Sequence, residues 1–141
     1  MEMTKEIKTT EANAQQLRNV LVVDDSKTMR GILSKTISRY ADFNIIEAGD
    51  GVDALEKMQN GNIRLIFLDY NMPRMNGIEF MKNIRSQSEY KNIPVVMLTT
   101  ESEEAKVRSG YVAGATVYMT KPYQPEALIK VVEAMRYWHM K

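Results

Sequence analysis

From residue 19 onward, two hydrophobic patterns alternate along the chain. Val20–Val23 is a short apolar run ending in Asp24-Asp25, the pattern of a strand buried on both faces. Met29, Ile32, Leu33, Thr36, Ile37 and Tyr40 then recur at helical spacing, with Ser26 placed to cap the helix. Phe43–Ala48 predicts a second strand, and Val52, Leu55 and Met58 the inner face of a second helix that stops at Asn60-Gly61. Ile63–Leu68 is a third apolar run, again ending in an acid, Asp69. Asn71-Met72-Pro73 breaks the chain there, and Ile78, Met81 and Ile84 mark a third helix. Ile93–Leu98 is a fourth run, closed by Thr99-Thr100, and a helix of poorer periodicity covers 103–113. Thr116–Met119 predicts a fifth strand ending near Lys121, and Leu128, Val131, Val132 and Met135 a last helix. Strand–helix units joined by short connections predict an α/β domain, doubly wound, with a five-stranded parallel sheet and helices on both faces.

Residues 1–18 break this pattern. They are polar, with Ile7 and Leu17 the strong hydrophobes after the initiator region, and predict a mobile extension or a weakly held arm. Their sparse apolar face ranks an amphipathic partner-binding helix below these. The expected division is therefore 1–18 as extension and 19–141 as one domain, which suits a length of 141 residues. A formal net charge of +1 gives no electrostatic reason for nonspecific binding to nucleic acid or acidic membranes. The absence of cysteine excludes disulfides, thiolate catalysis and cysteine-ligated metals. The single histidine, His139, leaves no basis for a histidine triad or zinc cluster. No run approaches the ~18 apolar residues of a membrane span, and the start lacks a signal-peptide core, so a cytoplasmic protein is expected.

In an open parallel sheet, function gathers beyond the carboxyl ends of the strands. Asp24 and Asp25 follow the first strand, Asp69 the third, Thr99 the fourth and Lys121 the fifth. Singly, each has a plainer role: a helix cap for an aspartate, a turn hydroxyl for Thr99, a solvated loop amine for Lys121. Gathered at one edge, they point to chemistry. Three carboxylates at ~5 Å repel by roughly 3 kcal/mol per pair at an effective dielectric near 20. Such a cluster protonates one member or takes a cation. An all-oxygen site suits Mg²⁺, with Mn²⁺ or Ca²⁺ as substitutes. A carboxylate beside that ion is a nucleophile towards phosphorus, and a lysine and a hydroxyl suit the equatorial phosphoryl oxygens.

The segments VLVVDDS, IFLDYNMP, NGIEF, VVMLTTE and VYMTKPY resemble, in order and spacing, the receiver domains of two-component response regulators. The resemblance runs from about residue 19 to the C-terminus. It implies a flavodoxin-like, CheY-like fold with strand order 2-1-3-4-5 and five helices. It also implies Asp69 as phospho-acceptor, and Asp24 and Asp25 as the acidic pair that organises Mg²⁺ with the backbone carbonyl of Asn71. Thr99 resembles the switch hydroxyl, Lys121 the lysine that pairs with the phosphoryl group, and Tyr118 the aromatic rotamer switch. Lys121-Pro122 resembles the family's cis peptide. The activity implied is that of a signalling domain, not an enzyme, which catalyses its own phosphorylation and dephosphorylation.

Within the family the chain resembles the single-domain chemotaxis type. Asn71 and Glu101, each two residues beyond its landmark, match that type and flank the path of the hydrolytic water, which predicts fast phosphoryl loss. With no DNA-binding segment after the last predicted helix, output through protein contact or phosphoryl relay is expected, with no direct nucleic-acid contact and no membrane insertion. The helix 4/strand 5/helix 5 face is expected to carry it, with Val107, Tyr111 and Tyr118 contributing. The implied partners are a CheA-like histidine kinase as donor, an output protein such as a flagellar motor-switch component, and a phosphatase. Enteric chemotaxis regulators carry basic residues on helices four and five where this chain has Glu104, Val131 and Ala134. A different partner, a phosphate sink or a phosphorelay receiver in another pathway therefore stands beside the motor-switch reading. Gly110 should cost its helix about 1 kcal/mol relative to Ala, and its presence is explained either by close packing or by a helix kept marginally stable so that phosphorylation can reorganise it. Tyr137, Trp138 and His139 form either an aromatic patch or a packed helix end.

Two other classes share parts of this pattern. A haloacid-dehalogenase-type phosphatase also uses an aspartate nucleophile and Mg²⁺, but wants D-x-D after its first strand, where this chain has adjacent acids. A flavodoxin shares the fold, but the acids after strand one would repel the FMN phosphate. An interaction module on a receiver fold that takes no phosphoryl group is the third alternative.

Overall fold

A computed structural model describes residues 19–40 and 43–136, so residues 1–18 and the Tyr137–Trp138–His139 patch lie outside the described residues. Five strands, β1 (Asn19–Val23), β2 (Asn44–Ala48), β3 (Leu65–Leu68), β4 (Val95–Thr99) and β5 (Val117–Thr120), form one sheet in the order β2-β1-β3-β4-β5. Every neighbouring pair is parallel. The helices are α1 (Lys27–Tyr40), α2 (Gly51–Gly61), α3 (Gly77–Arg85), α4 (Glu104–Ala113) and α5 (Pro125–Arg136), with a 3₁₀ turn at Ser88–Tyr90.

The inner strands β1, β3 and β4 are buried almost throughout because both sheet faces are covered there, whereas the edge strands β2 and β5 expose Glu47 and Thr120. The pleat sends alternate residues to opposite sides. Leu21, Val23, Ile66, Leu68, Val95 and Met97 join Ala54 and Met58 of α2 and Phe80, Met81 and Ile84 of α3. Val20, Val22, Leu65, Phe67, Val96 and Leu98 join Leu33 and Ile37 of α1 and Leu128, Val132 and Met135 of α5. Each fully buried aliphatic or aromatic side chain contributes about 1.5–3 kcal/mol against leaving it in water.

The apolar runs overestimate the pairing. Ile63 is buried but precedes β3, held by the turn at Asn62 (φ 47°) that ends α2, and β4 starts after Pro94, which has no N–H to donate. On α1 the inward stripe narrows to Leu33 and Ile37, leaving Ile32 52% exposed.

Local caps fix where the helices begin. The Met29 amide donates to Ser26 Oγ (3.2 Å), Asp50 caps α2 through the Asp53 amide (2.8 Å), and Asn76 and Glu79 form a capping box on α3. Helix α4 has no side-chain cap at Glu103 and buries only Gly110. It ends at Gly114, whose φ of 118° favours glycine. Arg85 secures this end by donating to the carbonyls of Gly114 (2.9 Å) and Tyr90 (3.0 Å). Among the described residues, no helix is long and apolar enough to cross a membrane.

Candidate functional site

The parallel register brings the strand ends to one edge and ties them by backbone hydrogen bonds. The Asp69 amide donates to the Val23 carbonyl (2.9 Å), the Asp24 amide to Ala48 (3.1 Å) and the Lys121 amide to Thr99 (2.8 Å). Beyond β3 the chain turns sharply into α3, and Gly77 permits it: a Cβ there would lie 2.3 Å from the Asp69 carbonyl oxygen.

Asp24, Asp25 and Asp69 each offer a carboxylate oxygen within 4.8 Å of the others. Asp24 is buried, Asp69 half-buried and Asp25 exposed, so the cluster opens to solvent on one side. Three convergent hard oxygens with an open side fit a divalent cation that keeps part of its water shell. Asn71, the fourth predicted ligand, is exposed on the loop after β3.

Burial pushes the Asp69 carboxyl above its usual range against the pull of the Thr99 hydroxyl. The neighbouring Asp24 charge raises it further, while Lys121 and the Tyr70 amide oppose. The Tyr70 amide donates to Asp69 Oδ1 at 2.8 Å. Lys121 itself lies on Asp24, with Nζ 3.0 Å from Oδ2, and its peptide to Pro122 is cis. Asp24 also accepts from the Ser26 amide at 2.9 Å, so one carboxylate holds both the turn that leads into α1 and the lysine. Thr99 is fully buried, and its Oγ1 accepts from the Glu101 amide (3.3 Å).

Over the mouth of the site lies a network that includes residues the sequence reading did not single out. Glu101 accepts from the Asn71 side-chain amide and pairs with Lys106 of α4 at 3.2 Å. Those contacts, Asn71 foremost and then Lys106, hold the Glu101 carboxyl below its usual range. The Lys106 ammonium sits 5.4 Å from the centre of the Tyr70 ring. The Tyr118 hydroxyl donates to the Glu101 carbonyl at 2.7 Å, and burial pushes that hydroxyl's pKa up to about 12. The Tyr118 amide donates to the Tyr111 hydroxyl (3.2 Å), with the rings 6.3 Å apart.

Gly110 lies beneath this aromatic pair. A Cβ there would meet Tyr118 Cδ2 at 2.8 Å and Met97 Sδ at 3.0 Å, so close packing accounts for the glycine. Val107 is half-buried, Tyr111 is exposed, and Glu104 is exposed in a pair with Arg108. On α5, Val131 is half-buried and Ala134 exposed.

Another unpredicted contact, Arg74 Nε to Asp50 Oδ2 at 2.6 Å, ties the loop after β3 to the start of α2. Arg74 reaches it from a left-handed backbone (φ 65°), a conformation that hydropathy does not signal.

The response regulator receiver domain family matches residues 20–133. The chain is 42% identical over 117 residues to chemotaxis protein CheY1 of Helicobacter pylori, covering 82% of this chain and 94% of that one. It is 38% identical over 115 residues to the chemotaxis protein CheY homolog of Campylobacter jejuni, covering 81% and 88%. The solved structure of Vibrio cholerae chemotaxis protein CheY4 superposes with a TM-score of 0.76 at 42% identity, covering 82% of this chain and 96% of that one. A family match over residues 20–133, relatives of 38–42% identity and a shared fold leave one assignment: the chain belongs to the response regulator receiver family and is a CheY-like signalling regulator of the two-component type.

Proposed function

We propose that residues 19–141 form a chemotaxis receiver that takes a phosphoryl group on Asp69 from a phosphohistidine of a CheA-like kinase. The observation that carries this reading is the convergence of the three carboxylates within 4.8 Å, beside the buried Thr99 hydroxyl and Lys121. Asp24, Asp25, Asp69 and the Asn71 carbonyl would hold Mg²⁺, or Mn²⁺ in its place. Bound there, the cation offsets the charge of the carboxylates and of the phosphoryl oxygens.

In the forward step an Asp69 oxygen attacks phosphorus, the P–N bond to the donor imidazole breaks, and that imidazole keeps the electron pair and takes up a proton. Lys121 leaves Asp24 to pair with a phosphoryl oxygen, and the Thr99 hydroxyl donates to another. In a second step, water attacks phosphorus, the P–O bond to Asp69 breaks with the carboxylate keeping the electron pair, and phosphate and a proton depart. Asn71 and Glu101 flank that water's approach.

Movement of Thr99 towards the phosphoryl group frees space for Tyr118, whose hydroxyl bond to Glu101 links the site to the face formed by α4, β5 and α5. Tyr111, Tyr118 and Val107 carry the output there, to a partner such as a flagellar motor-switch component. A phosphatase acting on Asp69 and a cytoplasmic location complete the reading. The receiver-family match over residues 20–133 favours this reading over the dehalogenase-type phosphatase and flavodoxin alternatives.

The test is the melting temperature in Mg²⁺ with and without beryllofluoride, which mimics an aspartyl phosphate. A rise in wild type, absent in Asp69→Ala, is expected by mass action. No rise in a folded, Mg²⁺-binding protein would overturn the acceptor role and favour an interaction module that takes no phosphoryl group.

A further inference from the structure

We infer that Lys106 is a positioning residue for phosphoryl loss: it braces Glu101 across the mouth of the site, anchored itself on the Tyr70 ring. The inference rests on Asp69 as acceptor and on Glu101 beside the water's path.

Glu101 is held from three elements at once. The Asn71 amide reaches it from the loop after β3, Lys106 from α4 (3.2 Å), and Tyr118 of β5 fixes its backbone carbonyl (2.7 Å). Of the two groups holding the carboxylate, only Lys106 carries charge. An exposed lysine spends little time in one place unless a second contact holds it. Here the second contact is Tyr70, whose ring lies 5.4 Å from Nζ and whose own amide donates to Asp69. The brace thus begins on the residue next to the acceptor and ends on the carboxylate that flanks it.

Hydrolysis needs a water in line with the breaking P–O bond of Asp69, and that water gives up a proton as phosphate leaves. A Glu101 carboxylate fixed at one place orders such a water, and a mobile one does so for a fraction of the time. Lys106 touches neither the reacting atoms nor Asp69 in this arrangement, so its effect passes through Glu101.

The test phosphorylates the full chain with phosphoramidate in Mg²⁺, removes the donor, and follows the loss of label from Asp69. Lys106→Met is expected to lose its phosphoryl group about two- to fivefold more slowly than wild type, the scale of a partly exposed ion pair. Lys106→Arg, which keeps both the charge and the aromatic contact, is expected to restore the wild-type rate. In a Glu101→Ala background, Lys106→Met is expected to change nothing further. A wild-type rate in Lys106→Met, an Arg variant as slow as the Met variant, or equal slowing in the Glu101→Ala background would each overturn the brace. A wild type that takes no label on Asp69, matching Asp69→Ala, would instead overturn the acceptor reading, and the brace with it.

Discussion

Lys121 and Asp24 stand 97 residues apart in the chain and 3.0 Å apart at the site. With side chains only 15% and 10% exposed, the pair is sheltered, and the lysine occupies the carboxylate that a cation would claim. Lys121→Met is therefore expected to bind Mg²⁺ more tightly than wild type, because a competing positive charge is gone. It is also expected to melt lower without the ion, by about 1–3 kcal/mol, since Asp24 keeps its Ser26 amide but loses its counter-charge. Calorimetric titration with Mg²⁺ reads the first effect, and weaker binding would deny the competition.

Asp69 predicts a pH dependence of opposite sign to that of an ion-paired acid. Its carboxyl is held above the ordinary value, by burial first. Its contribution to stability is thus complete below the unfolded pKa near ~3.9 and lost as pH rises through the folded value. Asp69→Asn, which removes the charge and keeps the shape, is expected to melt above wild type at pH 7. The gap should close in acid and shrink when Mg²⁺ is added. Thermal scans from pH 3 to 8 check this, and a constant gap would deny the linkage.

Asp50 runs the other way. Arg74 beside it, together with the Asp53 amide, holds its carboxyl below the usual range. The stability it contributes is present above the unfolded value and lost as pH falls through the folded one. Asp50→Asn keeps a good helix cap but abolishes this acid-side loss, whereas Asp50→Ala also costs about 1 kcal/mol of capping at all pH values. Parallel acid titrations followed by circular dichroism separate the two variants.

Gly110→Ala sets helix propensity against packing. Alanine favours the helix by about 1 kcal/mol, but its Cβ would lie 2.8 Å from the Tyr118 ring. Overpacking costs typically ~1–3 kcal/mol, so the substitution is expected to destabilise the wild type. In a Tyr118→Ala background the cost is expected to shrink, leaving the 3.0 Å approach to Met97 Sδ against the helix gain of about 1 kcal/mol. Urea denaturation of the four proteins closes that cycle, and an equal cost in both backgrounds would assign the glycine to a cause other than the Tyr118 ring.

The inner strands, and the edge at which Asp24, Asp25, Asp69, Thr99 and Lys121 lie, were legible in the sequence because β1, β3 and β4 are apolar runs that stop at a polar residue. Asp69 after Leu68 and Lys121 after Thr120 mark the same edge in space because parallel strands share a direction. The predicted strand order came from family resemblance, since hydropathy does not say which strand lies beside which. Lys106 went unnoticed because a lysine on an exposed helix face carries no pattern, and its meaning depends on Tyr70 and Glu101 arriving from two other loops. The Arg74–Asp50 contact was hidden for a similar reason, depending on a left-handed turn at an arginine. Ile32 misled in the other direction: its spacing is helical, but the stripe that meets the core is narrower than the spacing suggests.

Helix α4 has one buried residue, and that residue has no side chain. Apart from Ala113, which packs against the core, and Lys106, which holds Glu101, the remaining positions of the helix therefore owe little to the interior. A lineage can rewrite this surface without losing the fold, trading Glu104 or Tyr111 for other chemistry as its partner changes. The site and the sheet cannot drift in that way, because a substitution there meets either the carboxylates or a filled interior. The carboxylates, Thr99 and Lys121 thus sit in the constrained part of the chain, and the exposed face of α4 in the free part.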